Sequence, residues 1–122
     1  QMLRQVRRFF EAHGEGRFTH WERADRYDDH APKTLHRAGF RKPVKGMNGD
    51  LTGWEFYVLQ ETFRSEIAEG FDYKAVLRVL REHEYLEPDK GRPFDCKPRL
   101  PGLGPTTCYR IKSSILDADA SA

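Results

Sequence analysis

Between Glu61 and His83 the chain carries two helical repeats with only Gly70-Phe71-Asp72 between them, and this spacing limits the fold more than any other feature. Phe63, Ile67 and Ala68 make the apolar stripe of a helix predicted over residues 61–69, with Gly70 at its C-terminal end. Asp72 stands where an N-cap is expected, and Tyr73, Val76, Leu77 and Leu80 then share one face of a helix running to about His83. So short a connection predicts two helices folded tightly on each other. Lys74, Arg78 and Arg81 fall on another face of the second helix, at i, i+4 and i+7.

The flanking segments alternate between helical and extended patterns. Met2, Leu3, Val6, Phe9, Phe10 and His13 recur at steps of three and four opposite Arg4, Arg7, Arg8 and Glu11, and Gly14 follows as a stop. Arg17 to Trp21 is strand-like, and Glu22 to Lys33, with Asp28-Asp29-His30 and Pro32, reads as a loop. Leu35 to Val44 predicts a short strand ending before Pro43; the turn Lys45 to Asp50 leads into a second strand, Trp54 to Leu59, to make a hairpin. Near the C-terminus, Pro93 to Arg99 and Thr107 to Lys112 flank the Gly/Pro-rich stretch 100–106 as a second hairpin. Asp117 to Ala122 is small and polar and is expected to be a flexible tail.

That order predicts an α+β fold: a winged helix-turn-helix-like domain over residues 1–116, with three helices, a C-terminal wing hairpin and a β-containing insertion at about 15–59. The strand that pairs with the wing is either Arg17 to Trp21 or Trp54 to Leu59, and the second is preferred. A length of 122 residues suits one core.

Four segments, Phe9-Phe10-Glu11-Ala12-His13-Gly14-Glu15-Gly16-Arg17-Phe18, His36-Arg37-Ala38-Gly39-Phe40-Arg41, Phe63-Arg64-Ser65-Glu66-Ile67-Ala68-Glu69-Gly70-Phe71-Asp72 and Arg99-Leu100-Pro101-Gly102-Leu103-Gly104, together resemble a known family. The chain from about Arg4 to Leu116 is similar to the C-terminal region of primase/helicase-like ATPases from bacterial prophages and integrative elements, formally a domain of unknown function. The resemblance implies an ATPase upstream in the same protein, which becomes the expected partner together with DNA. It implies no motor here, and no G-x-x-x-x-G-K-[ST] occurs; Gly39 to Gly46 lacks the terminal Gly-Lys-Ser/Thr. The family tends to have glycine where this chain has Glu84, which bears on where the third helix ends. A helical pattern that begins at the first residues, with no export signal ahead of it, is expected to continue from something upstream.

Composition narrows the chemistry. Charged residues are 33% and apolar residues 38%, and no apolar run approaches the ~20 residues of a membrane helix, so the chain reads as a soluble globular domain. Two cysteines, Cys96 and Cys108, are too few for a disulfide scaffold, which points to the cytoplasm. Each lies six residues from Gly102, so a hairpin centred there sets them opposite each other; small buried hydrophobes are the default reading of such a pair.

Net charge is only +2, but its distribution is uneven. Lys33, Arg37, Arg41, Lys42 and Lys45 share a stretch with no acid, and Lys90, Arg92, Lys97, Arg99, Arg110 and Lys112 share another with only Asp95. Such clusters suit phosphate neutralisation. In a winged-helix reading Lys74, Arg78 and Arg81 would enter a groove while Lys97, Arg99 and Arg110 serve as wing contacts. Against this, the acids Asp72, Glu82, Glu84, Glu87 and Asp89 outnumber the cations of the same segment, as on an ordinary solvated face. Arg37 and Arg41, on one side of an extended segment, are the further candidates.

A second class of function is protein docking, on the ATPase or between copies, through an aromatic surface such as Trp21, Phe40 and Trp54. Metal binding by His20, Asp28, Asp29, His30 and His36 lacks any spacing that fixes two ligands on a helix face. No nucleophile or cofactor motif is recognisable, so the expectation is a non-catalytic domain without a cofactor.

Overall fold

The computed structural model describes residues 2–23 and 36–117. Helix α1 (Met2–His13) buries Val6 and Phe10, and the Gly14 N–H reaches back to the Phe10 carbonyl at 2.8 Å to close its last turn. Strand β1 (Phe18–His20) follows and ends in a single 3-10 turn, Trp21–Arg23, so Trp21 leaves the strand expected to hold it. The rest of the loop predicted to Lys33 lies outside the described residues.

Strands β2 (Gly39–Lys45) and β3 (Leu51–Leu59) form the predicted hairpin. β2 runs through Pro43 instead of stopping before it. Its other neighbour, β1, pairs only as far as Arg41, so Pro43 lies on a stretch of open edge where a missing N–H is tolerated. At the start of β2, Gly39 faces the β3 backbone so closely that a Cβ would overlap the Tyr57 carbonyl oxygen.

Helix α2 (Gln60–Thr62) continues into a π-turn, Phe63–Ile67, in which the Ala68 N–H bonds the Phe63 carbonyl five residues back. Phe63, Ile67 and Ala68 are buried as expected, and Gly70, at φ 84°, makes the turn that a side chain would resist. The Asp72 carboxylate accepts from the Lys74 N–H and caps α3 (Tyr73–Glu82), which buries Val76, Leu77 and Leu80. Beyond the cap His83, Glu84 takes a left-handed conformation at φ 62°. The Tyr85 N–H then reaches the Leu80 carbonyl and the Glu84 N–H the Arg81 carbonyl, the paired bonds of a Schellman ending.

The C-terminal hairpin differs from expectation in its first arm. Residues 93–98 contribute one bridge, Cys96 to Cys108, and only the tip pairs as two short strands, β4 (Arg99–Leu100) and β5 (Gly104–Pro105). Strand β6 (Cys108–Lys112) joins β3 antiparallel, as preferred from sequence, and α4 (Ser114–Asp117), which no periodicity announced, closes the described chain. Asp117 thus belongs to a helix; residues 118–122 lie outside the described residues.

The result is an α+β arrangement: a sheet of order β1-β2-β3-β6 with β1 parallel to β2, a second sheet of β4 and β5, and four α-helices among the described residues. Alternation along β3 divides the interior in two. Phe56 and Val58 face the helices and share a core with Phe10, Phe18, Leu77, Leu80 and Ile111. Tyr57 faces the other way, with Phe40, Leu100, Cys96 and Cys108. Among the described residues no helix is long and apolar enough to cross a membrane.

Candidate nucleic-acid interface

The face of the sheet away from the helices is built from residues at steps of two. Phe40 and Lys42 of β2 lie across from Tyr57 and Glu55 of β3, which in turn lie across from Arg110 and Lys112 of β6. Trp21, delivered by the turn after β1, leans over this face with its ring 4.9 Å from Tyr57 and 6.3 Å from Phe40. Phe40 and Tyr57 are buried beneath it.

Cations cover these rings. The Lys42 ammonium sits 5.1 Å from the Trp21 ring, the Arg37 guanidinium 4.8 Å from Phe40 and the Arg110 guanidinium 5.4 Å from Tyr57. Lys and Arg hold an apolar stem against a ring while the charge stays at the surface. Lys42 and Arg37 are exposed; so is Arg99, which borders a groove of about 330 Å³ between Trp21 and the stretch Arg99 to Gly104. Exposed cations beside a groove are groups that can meet phosphates.

The predicted site residues divide among several surfaces. Arg37 and Arg99 belong to this face, and Lys97 is exposed on the approach to the tip. Arg110 is turned inward: it bridges Asp89 at 3.5 Å and donates to the Glu87 carbonyl, which ties β6 to the preceding loop and occupies the group expected to contact a ligand. Asp89 also accepts from the Lys97 N–H, so the loop beneath the tip is fixed from both sides. Arg41 lies opposite Phe56, and its guanidinium stacks on Trp54 at 4.5 Å, on the helical side. Arg37 and Arg41 therefore do not share a side: His36 turns with φ 51° and only Gly39 begins the strand, so the segment is not extended throughout.

Lys74, Arg78 and Arg81 are exposed on α3, in the helical layer. Arg81 donates to the Pro93 carbonyl at 2.9 Å and covers the Phe94 ring, holding the loop before β4 against the helix. Lys74 and Arg78 carry no such engagement among the described residues. The proposed aromatic surface is not continuous, because Phe40 is wholly buried and Trp21 and Trp54 belong to opposite faces of the sheet.

Sequence reading did not place Trp21 at a nucleic-acid site, and it held Lys42 and Lys112 only as members of the two basic stretches, not as residues of one sheet face. The signal was the two-residue step in Phe40-Arg41-Lys42 and Arg110-Ile111-Lys112, which sets an aromatic or cationic residue and a lysine on one face. Among the described residues no three His, Cys, Asp or Glu side chains gather as metal ligands, and Asp28, Asp29 and His30 lie outside them.

Cys96 and Cys108 do face each other, exchanging backbone bonds of 2.9 Å with Sγ atoms 3.6 Å apart, both as free thiols. Their mutual hydrogen bond lowers the Cys96 thiol and, with burial, drives the Cys108 thiol upward, as when one sulfur holds the proton for both.

No family model, curated protein or solved structure matches the chain.

Proposed function

We propose that this chain is a non-catalytic nucleic-acid-binding accessory domain, of winged-helix-like construction, in a mobile-element primase/helicase-like protein whose ATPase lies elsewhere in the same polypeptide. The observation that carries the reading is the sheet face on which Lys42 and Arg37 stand free over Trp21 and Phe40, beside a groove bordered by Arg99. Phosphate contacts come from these three cations, and the Trp21 indole holds the Lys42 stem in place at the edge of the groove.

The winged-helix assignment is supported by α1, β3, α2, α3 and β6 in that order, by the tight Gly70 turn, and by the pairing of β3 with β6. In this reading β1 and β2 extend the sheet of the simpler motif, and the tip β4-β5 is its wing. Lys74 and Arg78 supply a second, weaker phosphate contact on α3, while Arg81 and Arg110 keep structural roles.

Fluorescence anisotropy with labelled duplex and single-stranded DNA across a salt series tests this. Affinity should fall steeply with salt, and Lys42→Ala with Arg99→Ala should weaken binding more than Lys74→Ala with Arg78→Ala. Absence of binding at low salt overturns the assignment.

A further inference from the structure

Cys96 and Cys108 form the one bridge by which residues 93–98 join β6, and each donates its N–H to the other's carbonyl at 2.9 Å. Residues paired in this way across antiparallel strands stand about 5.5 Å apart at Cα, inside the roughly 4.4–6.8 Å that a disulfide spans. The two side chains lie on one face, since their Sγ atoms already meet at 3.6 Å, and both are free thiols. Rotation of the side chains brings such sulfurs to bonding distance while the backbone bonds are kept.

The surroundings favour reaction at one sulfur. The hydrogen bond from Cys108 holds the Cys96 thiol below the usual thiol range, and the charge of the Arg110 guanidinium adds to that effect against burial. A thiolate beside a cation, with a second thiol in contact, is the arrangement of a sulfur that is oxidised and then resolved. Access comes through the arm itself. Residues 93–98 have no second bridge to β6, so local opening of that arm reaches the pair without unfolding the sheet. Leu100, which packs with both cysteines, also lines the groove beside Trp21.

We propose that Cys96 and Cys108 are a reversible oxidation site, closed to a disulfide by hydrogen peroxide and reopened by a dithiol reductant. The Cys96 thiolate attacks one peroxide oxygen, the O–O bond breaks, and hydroxide leaves as a sulfenic acid forms on Cys96. Cys108 Sγ then displaces that hydroxyl and gives up its proton, so two thiols and one peroxide become one disulfide and two waters. In the reverse step the dithiol is itself oxidised to a disulfide. The new bond pins the arm before β4 to β6 and so fixes the tip that borders the groove. Disulfides of this transient kind are the ones a reducing compartment permits.

The test exposes the reduced, folded 122-residue chain to hydrogen peroxide, at a dose that oxidises free cysteine, and counts its thiols in denaturant. The count should fall from two to zero with the chain still monomeric on a non-reducing gel, and dithiothreitol should restore both thiols. Non-reducing tryptic maps should join the peptide ending at Arg99 to the one beginning at Leu100. The oxidised chain should melt several degrees higher, because the bond closes a loop in the unfolded state. Cys96→Ala and Cys108→Ala should each abolish that rise, and the wild-type readouts decide the matter even where a variant folds poorly. Retention of both thiols, formation of disulfide-linked dimers, or oxidation that dithiothreitol does not reverse overturns the site and leaves the pair as buried packing. None of these outcomes bears on the nucleic-acid reading, which the anisotropy series tests separately.

Discussion

The Arg17 guanidinium grips both carboxylate oxygens of Glu66, at 2.7 and 2.8 Å, while its Nε donates to the His36 carbonyl. One side chain thereby joins the approach to β1, the approach to β2 and the π-turn. Glu66→Gln keeps the shape but loses the charge, and should cost about 1 kcal/mol, a modest value because the carboxylate is half exposed. Arg17 holds the Glu66 carboxyl below the usual carboxylate range, so the pair's contribution is present above the unfolded value of about 4.3 and is lost as pH falls through the folded one. Urea unfolding of the two chains should therefore differ at neutral pH and converge in acid.

Glu84 occupies the left-handed position of the Schellman ending, where a Cβ costs about 1 kcal/mol and glycine costs none. Glu84→Gly should raise the melting temperature by several degrees, an effect readable by calorimetry. Glu84→Ala should not, since alanine retains the Cβ; an equal gain in both would place the strain elsewhere.

The Tyr57 hydroxyl is pushed up to about 12, first by burial and then by the Glu55 carboxylate. Because an unfolded tyrosine ionises near 10, the unfolded chain releases this proton first, and stability falls as pH rises from about 10 toward the folded value. Denaturant titrations over that range should show a steeper loss for the wild-type chain than for Tyr57→Phe.

Much of the helical half was legible because its signals are local. Asp72 as a cap, Gly70 as a turn, and the stripes of Val6 and Phe10 or of Val76, Leu77 and Leu80 each depend on residues within a few positions. The β2-β3 hairpin and the facing cysteines were legible for the same reason. Pro43 misled because its tolerance depends on where β1 stops, and α4 carries too few residues for a period. At the interface, Arg37 and Arg99 were recognisable as cations, but the engagement of Arg81 with Pro93 and of Arg110 with Asp89 is made by loops distant in sequence. Trp21 acquires its place only once β1 lies beside β2.

Gly39 makes the sheet testable by reading other genomes. Its α-carbon lies against the Tyr57 carbonyl with no space for a methyl group, so a lineage that replaced it would have to part β2 from β3 and, with them, the platform under Trp21. A distant sequence that keeps this glycine beside an aromatic residue at the position of Phe40 can inherit the sheet even where little else aligns; one that has lost the glycine has left this architecture, whatever its overall similarity.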